Sequence, residues 1–389
     1  MICATDAISC EVTPVQLSRR SLMFSGGGAL IGVGALASGL AFVRRIRRGA
    51  TSSIQAPVRQ AWLEKRHEAI IDPDIPIVDP HHHLWDHPGY RYLMEDFLAD
   101  MRSGHDIRAT LFEECGAMYR SWGPRELRSL GETEFATDVS HTFASGQYGS
   151  IQCCAGIIGY VDLMIGASAK GVLEQHIAVS EGRLRGIRNS STWSADPSLK
   201  LYSSAPPGLL SDSRFREGVS TLNPLGLSFD AWVFQTQLSE IIDLARAFPQ
   251  TTIVLNHLGG PLAIGPYAGK REDAFAEWRD GIRKVSTWPN VYVKLGGLGM
   301  KLIGFSFMGD DMPPSSQQLE KAWRPYIETC IEAFGPHRSM FESNFPVDKG
   351  TCSYQVLWNA FKRIVAKYSA EDKSALFSGT ATRAYRIVI

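Results

Sequence analysis

From Ile75 onward the chain alternates short apolar runs with stretches of helical period, and this alternation constrains its fold more than any other feature. "IPIVD" (75–79) reads as a buried strand ended by Pro80, and "YRYLMEDFLADM" (90–101) as a helix with Leu93, Phe97, Leu98 and Met101 along one face. The runs "ATLFEE" (109–114), "IQCCAGIIG" (151–159), "LRGIRN" (184–189), "SFDAWVF" (228–234), "TTIVLNH" (251–257), "NVYVKLGG" (290–297) and "SMFESNF" (339–345) read as further strands. Nearly every one precedes a helical period, such as "AKGVLEQHIAV" (169–179) or "QQLEKAWRPYIETCIEAF" (317–334). Such alternation predicts parallel strands joined by crossover helices, an α/β class. Eight units over about 320 residues fit a (β/α)8 barrel. A doubly wound open sheet also alternates, but no GxGxxG or GxxxxGK[ST] follows the first strand, which weakens a nucleotide-binding version. The irregular segment 189–213 follows the fourth strand, where a lid or specificity loop would lie.

A barrel of this kind places its active site at the C-terminal strand ends, so polar residues at those positions are the candidates. Strand one ends in Asp79, His81 and His83, strand two in Glu113 and Glu114, and strand four in Arg188. Strand five is followed by Gln235, strand six by Asn256 and His257, and strand seven ends near Lys294; strand eight brings Glu342, Asn344 and Asp348. In extended chain, residues i and i+2 share a face, so His81 and His83 point together and His82 points away, as a structural residue. Two imidazoles on one face can grip a divalent cation or polarise a carbonyl. Arg188 reads either as a clamp for a substrate carboxylate or as an ion-pair partner of Glu113 or Glu114. Lys294 either touches substrate or pairs with an acid, Glu114 supports the substrate region, and Trp85 either walls the pocket or packs in the core.

The ends of the chain and its charge narrow the partners. Forty basic residues balance forty acidic ones, so nothing points to nucleic acid or an acidic polymer. The seven cysteines lie at 3, 10, 115, 153, 154, 330 and 352 without a CxxC, which indicates neither a disulfide framework nor a zinc ribbon. Arg19 and Arg20 precede an uncharged run from Ser21 to Val43, with a small-residue Ala35-Leu36-Ala37 that could be cleaved. The segment is similar to a twin-arginine export signal. An inner-membrane anchor is its rival, since about 20 apolar residues span a bilayer, and "RRIRR" (44–48) argues against simple export. Residues 1–55 are therefore expected to lie outside the fold and to direct the protein to the periplasm or the membrane. Met23 could also serve as the start, and a cytoplasmic location is the alternative. Residues 56–389 form the barrel.

"VDPHHHLWD", "VLNHLGGP", "NVYVKLGGLGM" and "FESNFPVDK" together resemble the amidohydrolase superfamily of TIM barrels. The likeness is to the branch of sugar-lactone and pyrone-dicarboxylate lactonases, with relatives that decarboxylate aromatic acids. It covers about residues 73–389, and HxH at the end of strand one with the later motifs in order is specific. The resemblance implies that His81 and His83 ligate metal or polarise substrate, and that His257 matches the histidine after strand six. The family's strand-five histidine falls near Gln235, and its strand-eight aspartate falls on Asn344, so two ligand positions carry neutral amides. These two amides, with Trp85, are expected to face substrate. His81, His83 and either His257 or Asp348 would still supply three ligands for a divalent metal, zinc or alternatively manganese. A metal-free mechanism is also open, as in some lactonases of the branch.

The expectation is a hydrolase that opens a lactone or related cyclic ester of a small polar or acidic molecule. Asp348 is the first candidate for general base and Glu342 the second, and His81, His83 and His257 polarise the carbonyl. A non-oxidative decarboxylase that holds its substrate carboxylate on Arg188 and a metal is the first rival. A retired barrel that only binds a small molecule is the second. A homo-oligomer is compatible with the sequence, and membrane association would run only through the N-terminal segment.

Overall fold

The computed structural model describes residues 56–389 apart from Pro88; the arginine-led segment 1–55 lies outside the described residues. Eight parallel strands follow one another in chain order around a single sheet. They are β1 (Ile77–His82), β2 (Ile107–Glu113), β3 (Gln152–Gly159), β4 (Leu184–Arg188), β5 (Ser228–Ala231), β6 (Ile253–Leu255), β7 (Val291–Leu295) and β8 (Ser339–Phe341). The sheet is nearly closed. Past the last ladder residue of β8, His82 bridges Phe345, with His83 N donating to Phe345 O at 2.7 Å and Asn344 N to His81 O at 2.9 Å. This is the predicted (β/α)8 barrel. Among the described residues no helix is long and apolar enough to cross a membrane.

The two faces of the strands can be read off the alternation of side chains. Ile77, Ile157, Ile253, Leu255 and Phe341 pack outward with the helices. Their neighbours Val78, Ile158, Val254 and Met340 form a separate inner cluster. The helix Thr380–Tyr385 adds Ala381, Ala384 and Tyr385 to that inner cluster. Each such aliphatic side chain contributes roughly 1.5–3 kcal/mol on burial, so the lower barrel is held by hydrocarbon. The upper layer is polar and must be held by pairing instead.

The alternation also fixes what lies in that upper layer. Phe112, Ile187, Phe229, Leu255, Val293 and Phe341 all face outward, so Glu113, Arg188, Asp230, Asn256, Lys294 and Glu342 face inward at the C-terminal ends. Several predicted boundaries shift. Tyr90–Tyr92 does not begin a helix but pairs antiparallel with Trp85–His87, and the helix starts at Met94. β5 and β8 stop well before Phe234 and Phe345. The segment after β4 is no free lid at its start: Asn189, Ser191 and Thr192 are buried. Asn189 Nδ2 donates to Val161 O at 2.6 Å and Ser191 N to Trp232 O at 2.9 Å.

Candidate active site

His81 and His83 converge as i, i+2 neighbours, their Nε2 atoms 3.2 Å apart. His82 turns away, stacking on Phe97 with ring centroids 4.2 Å apart and meeting Thr110 Oγ1 at 2.9 Å. His257 arrives from the end of β6, its ring centroid 4.6 Å from that of His81 and 4.8 Å from Trp232, which walls it edge-on. The backbone pays for this placement: His257, Leu258, Gly259 and Gly260 all take positive φ, at 51°, 54°, 69° and 59°. At His257 and Leu258, which carry a Cβ, this is strain that persists where the surroundings over-determine it, and it clusters at functional sites.

Glu342, the first residue beyond β8, ties the imidazoles together. Its Oε1 lies 2.7 Å from His257 Nδ1 and also accepts the His257 backbone N–H at 3.2 Å. Its Oε2 stands 2.8 Å from His81 Nδ1. Glu342 is fully buried, and burial pushes its pKa up to about 8 despite Lys294 nearby. Burial, then the neighbouring cations, lowers His81, His83 and His257 well below the usual histidine range. All three rings are therefore neutral at pH 7, the form that accepts a proton or binds a metal. A carboxylate on His257 Nδ1 fixes the tautomer that leaves Nε2 bare.

Below the imidazoles lies a closed ion-pair network. Lys294 Nζ donates to Glu113 Oε2 at 2.9 Å and to Asp230 Oδ2 at 2.8 Å, and sits 3.4 Å from His81 Nδ1. Asp230 Oδ2 also accepts from Tyr385 Oη at 2.6 Å and Asn256 Nδ2 at 3.1 Å. Burial pulls the Lys294 pKa down, but the carboxylates of Asp230, Glu113 and Glu342 outweigh it and hold the ammonium charged. Asp79 fastens the first strand to the eighth: it accepts from Ser343 N and Tyr354 Oη, each at 2.9 Å.

The loop after β7, "GGLG", approaches so closely that side chains are excluded. A Cβ on Gly296 would overlap Glu342, one on Gly297 would lie 2.6 Å from His257 Nδ1, and one on Gly299 would lie 2.9 Å from Asp348 Cγ. Gly297 also has φ +71°, a conformation that glycine adopts without strain.

The remaining predicted residues divide. Arg188 is an ion-pair partner: its Nε donates to Glu114 Oε1 at 2.8 Å and lies 3.4 Å from Glu113 Oε1, and its Nη2 donates to Glu114 O. Only Nη1 reaches the histidines, 3.4 Å from His81 Nε2. Lys294, expected either at substrate or on an acid, is fully enclosed between two acids. Gln235 leaves the expected substrate position; its Oε1 accepts from Leu262 N at 2.9 Å and its Nε2 faces Ala274 O at 3.4 Å, so it braces two loops. The inward residue of strand five is instead Asp230, which sequence reasoning missed. Asn344 (φ 53°) gives its Nδ2 to Asp348 Oδ1 at 2.9 Å, and Asp348 Oδ2 accepts from Gly299 N at 3.0 Å. Asp348 thus holds a turn together, with its pKa pushed up to about 8 by burial. Of the two groups among the described residues whose metal-ligand atoms lie within 4.8 Å of one another, the one at the strand ends is His81, His257 and Glu342; Glu342 joins it, and His83 and Asp348, both expected as ligands, do not. Trp85 is buried and stacked on His83 at 5.7 Å.

Two imidazoles and a carboxylate are the donors that catalytic zinc sites use. The buried acids Glu113, Glu114, Asp230 and Glu342 outnumber the cations Arg188 and Lys294, and Glu342 Oε2 has no hydrogen-bond donor of good geometry among the described residues. The donor set and its charge fit a divalent cation.

The amidohydrolase family model matches residues 78–387, nearly the whole barrel. The chain belongs to this family. The uncharacterized protein y4mH of Sinorhizobium fredii is 32% identical over 338 residues, covering 81% of this chain and 99% of that one. An L-fucono-1,5-lactonase of Burkholderia multivorans is 26% identical over 332 residues, covering 80% and 96%. Among solved structures, an amidohydrolase from Burkholderia multivorans with bound zinc superposes with a TM-score of 0.62 at 24% identity, covering 80% of this chain and 99% of that one. In this amidohydrolase, then, the polar rim of the barrel is the place to look for hydrolysis.

Proposed function

We propose that this amidohydrolase opens the ring of a small, polar, uncharged lactone, with Glu342 and His257 as the proton-transfer pair. The observation that carries the reading is the Glu342 carboxylate held 2.7 Å from His257 Nδ1 and 2.8 Å from His81 Nδ1 inside a buried strand-end cluster. The lactonase relative, which matches over nearly its whole length, supports the choice of bond. Ionised Glu342 holds the Nδ1–H tautomer of His257, so that the bare Nε2 takes the proton of an attacking water. Charge that develops on the carbonyl oxygen is met by the Arg188 Nη1 side of His81. The ring C–O bond breaks as His257 returns the proton to the ring oxygen, and the opened hydroxy acid releases its remaining acid proton to solvent and leaves as the carboxylate.

A divalent metal held by His81, His257 and Glu342 would add Lewis acidity toward the carbonyl and acidify a bound water. His83, with its Nδ1 2.8 Å from Glu113 O, keeps its Nε2 turned toward His81 in either regime.

The state of Arg188 favours an uncharged substrate. Its Nε is paired with Glu114 and Glu113 and its Nη2 with Glu114 O, which leaves Nη1 for one carbonyl oxygen, whereas a carboxylate held by both prongs would have to break a buried pair. The same fact disfavours the decarboxylase reading. A panel of aldono-γ- and δ-lactones, with pyrone dicarboxylate and aromatic acids alongside, tests this: acid release by pH indicator and carbon dioxide release are followed with and without zinc or manganese. Saturable acid release from uncharged lactones is expected. Carbon dioxide from an aromatic acid, or no turnover under any condition, would overturn the proposal.

A further inference from the structure

A second cluster of soft donors lies on the opposite face of the first strand. His82 Nε2, Cys153 Sγ and Cys154 Sγ fall within 4.8 Å of one another, all buried. The two sulfurs are 3.9 Å apart, and Cys154 Sγ is 3.9 Å from His82 Nε2. A tetrahedral zinc with Zn–S of about 2.3 Å and Zn–N of about 2.0 Å spaces its ligands roughly 3.6–3.8 Å apart. The two separations that involve Cys154 therefore need to contract by only a few tenths of an ångström, and the third, Cys153 Sγ to His82 Nε2, lies within 4.8 Å.

Adjacent residues of a strand ordinarily point to opposite faces, so two neighbouring cysteines should not share a partner. Here the backbone departs from the rule. The register of β2 with β3 jumps between Ala109↔Gln152 and Leu111↔Gly156, a bulge that spans Cys153 and Cys154. Cys154 takes φ 53°. The register of β1 with β2 jumps as well, between Asp79↔Thr110 and His82↔Phe112. Two bulges flank Thr110, and together they turn His82, Cys153 and Cys154 toward one point. Bulges re-aim side chains at some cost to the ladder, and a positive φ at a non-glycine residue such as Cys154 persists where its surroundings compensate for it.

We propose that His82, Cys153 and Cys154 supply three of the four ligands of a zinc site that staples β1 to β3, with Thr110 Oγ1 beside the fourth position, separate from the hydrolytic centre. Its charge balance suits its surroundings. Zn2+ enters, two thiol protons leave to solvent, and the resulting pair of thiolates with a neutral imidazole carries no net charge into the core, where an uncompensated ion is costly. No hydrogen bond among the described residues occupies His82 Nδ1; with the proton there, Nε2 accepts from the Thr110 hydroxyl, which in turn accepts from Cys154 N at 3.0 Å, and a metal would take the place of the hydroxyl's contact with Nε2. Thr110 Oγ1 stands 2.9 Å from Nε2 and 3.6 Å from Cys153 Sγ, so the donors face a hydroxyl rather than hydrocarbon. The site makes no use of the lactonase reading.

The test loads the full chain with cobalt during expression in zinc-depleted medium, because the site is enclosed once folded. Thiolate-to-cobalt charge-transfer absorption and sulfur scattering at the cobalt edge are expected in the wild type. Both should persist in His257→Ala, whose centre offers only nitrogen and oxygen, and both should vanish, with about one equivalent of metal, in the Cys153→Ser/Cys154→Ser variant. If that variant fails to fold, the wild-type spectra decide alone. Cobalt-loaded protein without sulfur ligation would overturn the proposal, as would a Cys153–Cys154 disulfide found by mass spectrometry in the freshly isolated protein.

Discussion

Glu342 is the residue on which the site turns, because a single carboxylate serves two imidazoles. Replacing it with glutamine keeps the volume and removes the charge that fixes His257. On any lactone the enzyme turns over, Glu342→Gln should lower kcat/KM by about 10²–10⁴-fold, the range for a lost proton-transfer partner. Asp348→Asn should cost less, since Asp348 spends its oxygens on Gly299 N and Asn344. Steady-state kinetics of the two variants separates the assignments. Lys294 acts differently, through stability. Lys294→Met leaves Glu113 and Asp230 buried beside each other without their ammonium, and removal of one partner from a buried pair costs roughly 3–5 kcal/mol. Urea unfolding measures that loss. A cost under about 1 kcal/mol, the value of an exposed pair, would mean that the network is solvated.

At the scale of elements, the loop after β7 is the mould against which Glu342, His257 and Asp348 are pressed. Gly297→Ala puts a methyl against the His257 ring at a positive φ, so it should destabilise by about 1–3 kcal/mol and reduce kcat more than it raises KM. Chemical denaturation with parallel kinetics checks both, and a stable variant of normal activity would show that the loop yields. How far the sequence could be read follows from the same geometry. The eight apolar runs were legible because each strand buries both faces and is flanked by a helical period. The pairing of His81 with His83, and the turning away of His82, followed from the two-residue repeat of extended chain. Gln235 was misplaced because "SFDAWVF" remains apolar past Ala231, so composition hid the strand end. The alternation itself held the signal, for Phe229 and Ala231 outward leave Asp230 inward. Asp348 ranked above Glu342 because a loop four residues long can fold anywhere on paper. Only coordinates show it folding back onto Gly299. The antiparallel pair Trp85–His87 with Tyr90–Tyr92 was lost in a helical pattern that begins three residues later.

For the whole molecule, the buried charges set how stability depends on pH. Glu113, Glu342 and Asp348 are raised by burial to about 8 from ordinary values of 4.5, 4.5 and 3.8. A carboxyl raised on folding stabilises fully below its unfolded pKa, and that contribution is lost as pH climbs through the folded value. The buried imidazoles run the other way: lowered from 6.5, they stabilise above that value and oppose folding as pH falls beneath it. Between pH 6.5 and about 8 the carboxyl contribution dominates the change, so thermal stability of metal-free protein should decline over that interval. Zinc should flatten that decline by holding Glu342 ionised, and calorimetry across the range reads it; a rise in Tm over the same interval would contradict the burial argument. The most direct test of the central claim, that Glu342 orients His257 for water attack on a lactone, is the pH profile of kcat/KM for the metal-free enzyme. Activity should rise with the ionisation of a group near pH 8, and that limb should disappear in Glu342→Gln while Asp348→Asn retains it. A limb unchanged in Glu342→Gln, or abolished only in Asp348→Asn, would contradict it.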